Sequence, residues 1–188
     1  AVAVAMDLLL FGSDVTGAFL QSLLDELLFL EWNGKYYRLH KTLYGLKQAA
    51  YAWNADLDKE MRRLGLQPCQ AEPCLYTRHD ERGWLMAVVW VDDIVAAAST
   101  ADIRDDFLDD FKYEFGSISR DLTWVLKIKI ERKGHLLGLS QVSYIEDIAA
   151  KYGADHANPK YTPMESDASI YTKAQCPEIG SKEHQEMK

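Results

Sequence analysis

Apolar residues recur along this chain with two periods, and the exchanges between them predict its elements. Leu8 to Phe11 runs through Gly12 and Ser13 to Asp14-Val15-Thr16, which reads as a strand ending in a carboxylate. Residues 18–26 read as a short helix or turn. Leu27 to Trp32 predicts a strand, Asn33-Gly34 a tight hairpin turn, and Lys35 to Lys41 the return strand. In that strand Tyr36, Arg38 and His40 alternate with Tyr37 and Leu39, as one-sided burial requires. Gly45 to Leu64 shows the helical period, with Ala49, Trp53, Leu57, Met61 and Leu64 on one stripe and Gly65 placed to cap it. Cys74 to His79 and Trp84 to Val91 predict two strands around Asp80-Glu81-Arg82-Gly83. Ser99 or Thr100 caps a helix to Phe115, with Ile103, Phe107, Leu108 and Phe111 inward. Leu122 to Glu131 and His135 to Ser140 form a hairpin around Arg132-Lys133-Gly134. Gln141 to Tyr152 is a last amphipathic helix carrying Val142, Ile145, Ile148 and Ala149. Beyond Gly153 the chain turns polar and proline-bearing without periodicity. The expected organisation is an α+β domain over 1–153, with helices on one face of a largely antiparallel sheet. An extended or poorly ordered tail is expected over 154–188.

One predicted hairpin carries unusual chemistry. Asp92 and Asp93 stand between the apolar flanks Leu85–Val91 and Ile94–Ala98. Half-burying two adjacent anions is costly unless positive charge accompanies them. A hard divalent cation meets that need, because Mg²⁺ takes one or two carboxylates and leaves positions for substrate phosphates. The plainer reading is a two-residue Asp-Asp turn, since Asp favours turns. Asp14 ends another buried strand. If the strands are neighbours, three carboxylates converge as two-metal phosphoryl-transfer sites require.

Composition narrows the class. Hydrophobic residues at 48% and aromatic residues at 11% describe a globular chain, and no apolar run is long enough to span a membrane. Cys69, Cys74 and Cys176 make no CxxC pair, and Cys69, Cys74 and His79 lack the spacing of structural zinc sites. Reduced thiols are the expectation. The N-terminus has neither a basic stretch nor an initiating Met and reads as a fragment start. A net charge of −8 argues against a general nucleic-acid coat. The charge is uneven, however: 33–48 holds a net +4 with no acid, 127–135 a net +3, and 102–115 a net −4.

Four longer motifs occur in order around the acids: Asp14-Val-Thr-Gly-Ala-Phe-Leu20, Leu39-His-Lys-Thr-Leu-Tyr-Gly-Leu-Lys-Gln-Ala49, Trp90-Val-Asp-Asp93 and Leu139-Ser-Gln-Val-Ser-Tyr-Ile145, followed by Thr162-Pro-Met164. Their order and wording resemble the reverse transcriptase of copia-type long-terminal-repeat retrotransposons. The resemblance covers essentially the whole chain. It implies a polymerase palm with a ferredoxin-like core, largely without the fingers.

It also implies roles. Asp14, Asp92 and Asp93 become the catalytic acids, holding two Mg²⁺ or Mn²⁺ ions together with the Val91 carbonyl. Phe19, by itself an ordinary core aromatic, becomes the ring under the incoming sugar. Tyr44, Gly45, Lys47 and Gln48 lie beside the nucleotide. Trp90, Lys127 and Lys129 face primer and template. The implied partners are an RNA or DNA template with primer, a deoxynucleoside triphosphate, and other polyprotein segments or a partner chain, with no membrane. Cytoplasm is the implied compartment, with the nucleus as alternative. The chain departs from the family's pattern at Trp90 (usually Tyr), Lys127 (usually Gly) and Ala50 (usually Pro). A catalytically silent binding module is therefore the alternative to a polymerase, and a nuclease using the same acids is a third class.

Overall fold

The computed structural model describes residues 2–120, 122–154 and 158. The predicted tail and its Thr162-Pro-Met164 motif lie outside them. The chain divides into two compact units, Ala1–Tyr144 and Ile145–Lys188, and the sheets and sites below belong to the first.

In chain order the elements are α1 (Val2–Ala5), β1 (Leu9–Asp14), a 3₁₀ turn (Ala18–Leu20), β2 (Phe29–Trp32), β3 (Lys35–Arg38), α2 (Ala49–Arg63), β4 (Gln67–Pro68), β5 (Leu75–Asp80), β6 (Gly83–Trp90), β7 (Asp93–Ala98), α3 (Ala101–Phe115), β8 (Ile118–Arg120), β9 (Trp124–Val125), β10 (Ile128–Lys133), β11 (Leu136–Ser140) and α4 (Val142–Lys151). Six strands form the main sheet in the order β4-β5-β6-β7-β1-β8, and every pairing in it is antiparallel. Read without β4 and β5, the run β1-α2-β6-β7-α3-β8 makes a sheet of order β8-β1-β7-β6. That is the ferredoxin-like arrangement, a split βαβ with its two helices on one face.

Side-chain alternation explains which face the helices cover. Leu85, Ala87 and Val89 of β6, Ile94, Ala96 and Ala98 of β7, and Phe11 of β1 are buried with Trp53, Leu57 and Met61 of α2 and Ile103, Phe107, Phe111 and Phe115 of α3 in one core. At roughly 25 cal/mol per Å² of apolar surface, such burial outweighs any single polar contact here. The apolar stripe predicted for α2 is the buried one, and it includes Glu60, whose carboxylate takes a bidentate pair from Arg63 at 2.7 and 2.8 Å. The helix starts four residues later than predicted, because Gly45 lies at φ 91°, outside helical space. Gly65, at φ 81°, ends it as expected. Thr100 caps α3 by accepting the Ile103 N–H, and left-handed Gly116 closes it.

Two local expectations change. The Asn33-Gly34 turn forms, with φ 51° and 70° and Trp32 opposite Lys35, the left-handed pair of a type I′ hairpin. Its strands are shorter than expected, and both faces of β2 and β3 are exposed, so the alternation in 35–41 does not mark one-sided burial. The region 122–131 is not one strand. Val125 pairs with Ile128, so Leu126 and Lys127 form a two-residue turn, at φ 46° and 64°. Lys127 therefore sits where the family's usual Gly needs no steric concession.

Candidate active site

Asp14 is the last residue of β1 and pairs with Asp93, the first of β7. Trp90 pairs with Asp93 across the β6–β7 hairpin. The turn residues are therefore Val91 and Asp92, one position earlier than an Asp-Asp turn. Phe11 on β1 and Ile94 on β7 point to the helices, so Asp14 and Asp93 share the opposite face of the sheet. The Val15 N–H donates to the Asp92 carbonyl at 3.0 Å, stitching β1 to the turn. All three carboxylate residues are half-buried. Asp14 and Asp93 are thus like charges directly opposed on antiparallel strands, a pairing that by itself costs free energy.

The turn is strained. Val91 has φ 56°, a region costly for any residue with a Cβ and most costly for a branched one. A positive φ at the first turn position alone is the sign pattern of a type II′ hairpin, which normally uses Gly there. What holds it is Trp53. This α2 residue is 2% exposed, stands edge-on to Phe115 at 5.0 Å, and donates its indole N–H to the Val91 carbonyl at 2.8 Å. Sequence reasoning placed Trp53 only in the core stripe. The available signal was that a buried indole N–H needs an acceptor.

Two of the expected nucleotide-site residues meet. The rings of Phe19 and Tyr44 lie 5.2 Å apart, edge to face. Phe19 also packs on the core, so its core role and its place near the site coexist. It lines a pocket of about 250 Å³ with Trp53, Trp90 and Val91. Buried Thr42 fixes this region by donating its hydroxyl to the Phe19 carbonyl. Gln48 reaches Glu26 at 3.0 Å, and Lys47 is exposed. Trp90 is 61% exposed at the mouth of the turn.

Lys127 and Lys129 stand in the separate three-stranded sheet β11-β10-β9. There Lys129 pairs with Glu131 at 2.6 Å, and Lys127 lies over the Tyr144 ring at 4.7 Å. Arg132 is drawn to Asp7 at 2.6 Å. Much of the basic charge expected in 127–135 is thus engaged within the protein.

The donor chemistry of Asp14, Asp92 and Asp93 suits a hard divalent cation, since all offer carboxylate oxygens. Among the described residues, no three Asp, Glu, His or Cys side chains are drawn together as a closed metal cluster, and this holds for Cys69, Cys74 and His79 too. The Val91 carbonyl, expected as a donor, is engaged by Trp53. The sheet thus supplies a strand end carrying three acids, with the carboxylates not drawn into one set.

Comparison with known proteins places the chain in a family. The family profile described as reverse transcriptase (RNA-dependent DNA polymerase) matches residues 1–166. The chain belongs to the reverse transcriptase family. Over 94% of its length it is 29% identical to the retrovirus-related Pol polyprotein from transposon TNT 1-94 of Nicotiana tabacum. Over 80% it is 30% and 32% identical to those from transposons RE1 and RE2 of Arabidopsis thaliana. It spans between 11% and 14% of the length of these polyproteins. Among the described residues of this reverse transcriptase domain, no helix is long and apolar enough to cross a membrane.

Proposed function

We propose that this domain is the palm of an RNA-directed DNA polymerase and that Asp14, Asp92 and Asp93 hold two divalent cations, Mg²⁺ or Mn²⁺, for nucleotidyl transfer. The observation that carries the proposal is the register of Asp14 opposite Asp93, with Asp92 in the adjoining turn. Bound there, the cations would neutralise phosphate charge and make the attacking hydroxyl more acidic. The rest falls to the chain's own residues. The ladder and the Trp53 hydrogen bond hold the backbone that carries the acids, and the carboxylates would turn onto the cations as these bind. Phe19 and Tyr44 offer an aromatic floor to the sugar of a deoxynucleoside triphosphate, with Gly45, Lys47 and Gln48 beside it. Trp90, Lys127 and Lys129 serve the primer and template strands. The primer 3′-hydroxyl then attacks the α-phosphate, and pyrophosphate leaves.

A second reading, a nucleic-acid or protein-binding module without catalysis, is favoured by one observation: the acids are not gathered into a three-member set. Primer extension with Mg²⁺ or Mn²⁺ decides between them. Template-dependent incorporation by the parent chain, falling at least a thousandfold in Asp92→Asn, supports the polymerase; no incorporation by a folded parent supports the module. Divalent metal should also raise the melting temperature by mass action, and Asp14→Asn should abolish that rise. A metal response unchanged in Asp14→Asn would remove that residue from the site.

A further inference from the structure

The sugar floor proposed above is a pair of rings, and one buried residue holds both in place. Phe19 sits in the 3₁₀ turn Ala18–Leu20, which left-handed Gly17 opens at φ 63°. Within the turn the Leu20 N–H donates to the Gly17 carbonyl at 2.7 Å and the Gln21 N–H to the Ala18 carbonyl at 3.1 Å. The next carbonyl, that of Phe19, takes its bond from outside the turn: the Thr42 hydroxyl donates to it at 2.5 Å. Thr42 is 2% exposed, and its N–H donates to the Ser22 carbonyl at 2.9 Å. Leu23 bridges Lys41, and the Leu24 N–H donates to the His40 carbonyl at 3.0 Å, so Thr42 stands in a short antiparallel ladder and not in a free loop. Two residues on, the Tyr44 ring meets the Phe19 ring edge to face at 5.2 Å. At the other end of the same segment the Val15 N–H donates to the Asp92 carbonyl at 3.0 Å. Phe19 is thus pinned between the acid-bearing turn and Thr42.

We propose, building on the reading of Phe19 and Tyr44 as the sugar floor, that Thr42 is a positioning residue that sets how strictly this site separates a deoxyribose from a ribose. An aromatic face rejects an added hydroxyl by standing in its way and by offering it no hydrogen bond against its desolvation. Such exclusion works only if the ring cannot retreat, since a misplacement of about 1 Å is enough to change a rate a hundredfold. Phe19 is only partly buried against the core, so packing alone leaves it room to shift. The carbonyl bond fixes its backbone and the Tyr44 contact fixes its ring, and Thr42 governs both. Valine at position 42 keeps the branched shape and drops the hydroxyl, leaving the Phe19 carbonyl without that donor.

The test is equilibrium dialysis of dATP and of ATP, with Mg²⁺, against the parent chain and a primer–template whose primer ends in a dideoxynucleotide, so that binding is read without chemistry. The parent is expected to prefer dATP by up to about a hundredfold, the scale on which an apolar site rejects an added hydroxyl. Thr42→Val is expected to lower that preference about tenfold, chiefly by tighter ATP binding, and Thr42→Ser, which keeps the hydroxyl, to hold it within about twofold. Thr42→Cys keeps a weaker donor and is expected to fall between them; it carries the test if Thr42→Val does not fold. In Phe19→Ala the preference should be gone, and adding Thr42→Val to it should change nothing further. A folded Thr42→Val, or failing that Thr42→Cys, whose preference matches the parent's overturns the proposal, whatever its melting temperature. A parent that binds both nucleotides equally, or neither, overturns it too. A parent whose preference falls in Thr42→Val, yet which extends no primer bearing a 3′-hydroxyl, would sink the polymerase reading alone. A parent that extends primer while Thr42→Val discriminates as the parent does would sink this inference alone.

Discussion

Two of the hairpins that reverse direction in two residues do so by opposite means. Asn33-Gly34 uses residue types that enter left-handed space readily, and no heavy atom lies within 4 Å of a Cβ built on Gly34. Val91-Asp92 places a β-branched residue at φ 56°, and a buried indole from a helix 38 residues away holds it there. The first turn is stable by local chemistry and its strands are exposed. The second is stable only through tertiary support, and it carries a carboxylate at its tip with another one residue on. Strain retained in an otherwise ordinary sheet points to a functional demand on that turn.

The largest expected effect removes the support. Trp53→Ala should cost about 4 kcal/mol through the cavity it leaves. Trp53→Phe should cost about 2 kcal/mol, chiefly by leaving the Val91 carbonyl without its partner. Urea unfolding measures both. The comparison sharpens if Trp53→Phe also blunts the metal-induced rise in melting temperature while Leu57→Ala, similarly destabilised, keeps it. Equal metal responses would reduce Trp53 to packing. Next in size are the turn residues themselves. Val91→Gly should stabilise the fold by about 1 kcal/mol by relieving the left-handed strain, whereas Gly34→Ala, at φ 70°, should destabilise it by a similar amount. The same sign for both would break the comparison. Lys127→Gly should stabilise by somewhat less, about 0.5 kcal/mol, because relief at φ 64° is offset by losing the cation–π contact with Tyr144.

Most of this architecture is legible in the pattern of residues, for identifiable reasons. The α2 and α3 stripes predict the buried faces because a helix must bury its apolar side against something. Thr100, Gly65 and Asn33-Gly34 mark boundaries by local chemistry alone. Long motifs bring Asp14, Asp92 and Asp93 together in sequence, and antiparallel register then sets Asp14 opposite Asp93. The turn lies one residue earlier than an Asp-Asp turn, because Val91 takes a conformation that sequence rules assign to Gly, supported by the Trp53 bond to its carbonyl and the Val15 bond to Asp92. The exposed β2–β3 hairpin likewise reads as half-buried, since alternation reports two faces but not whether anything covers either. The basic run 127–135 misleads for a different reason: Glu131 and Asp7 take up Lys129 and Arg132, and Asp7 is 125 residues from its partner.

The last expected effect is a pH dependence beside the supported turn. Tyr76 lines the same pocket as Trp53 and Val91, and its hydroxyl donates to Asp58 at 3.0 Å. Burial, and then the Asp58 hydrogen bond, push its phenol up to about 12. Asp58 is itself held below the usual carboxylate range by its hydrogen bond from Arg62. A phenol that resists ionisation in the folded state gives stability that is fully present below its unfolded value near 10. That contribution is lost as pH climbs toward 12, because the unfolded chain releases the proton first. Urea midpoints of the parent should therefore fall between pH 10 and 12 more steeply than those of Tyr76→Phe. The remaining tyrosines cancel in that difference. Parallel slopes would mean that Tyr76 ionises as freely folded as unfolded, and that the wall behind Val91 is wet. The Asn33-Gly34 hairpin has no such wall, since Tyr36 and Tyr37 beside it are exposed.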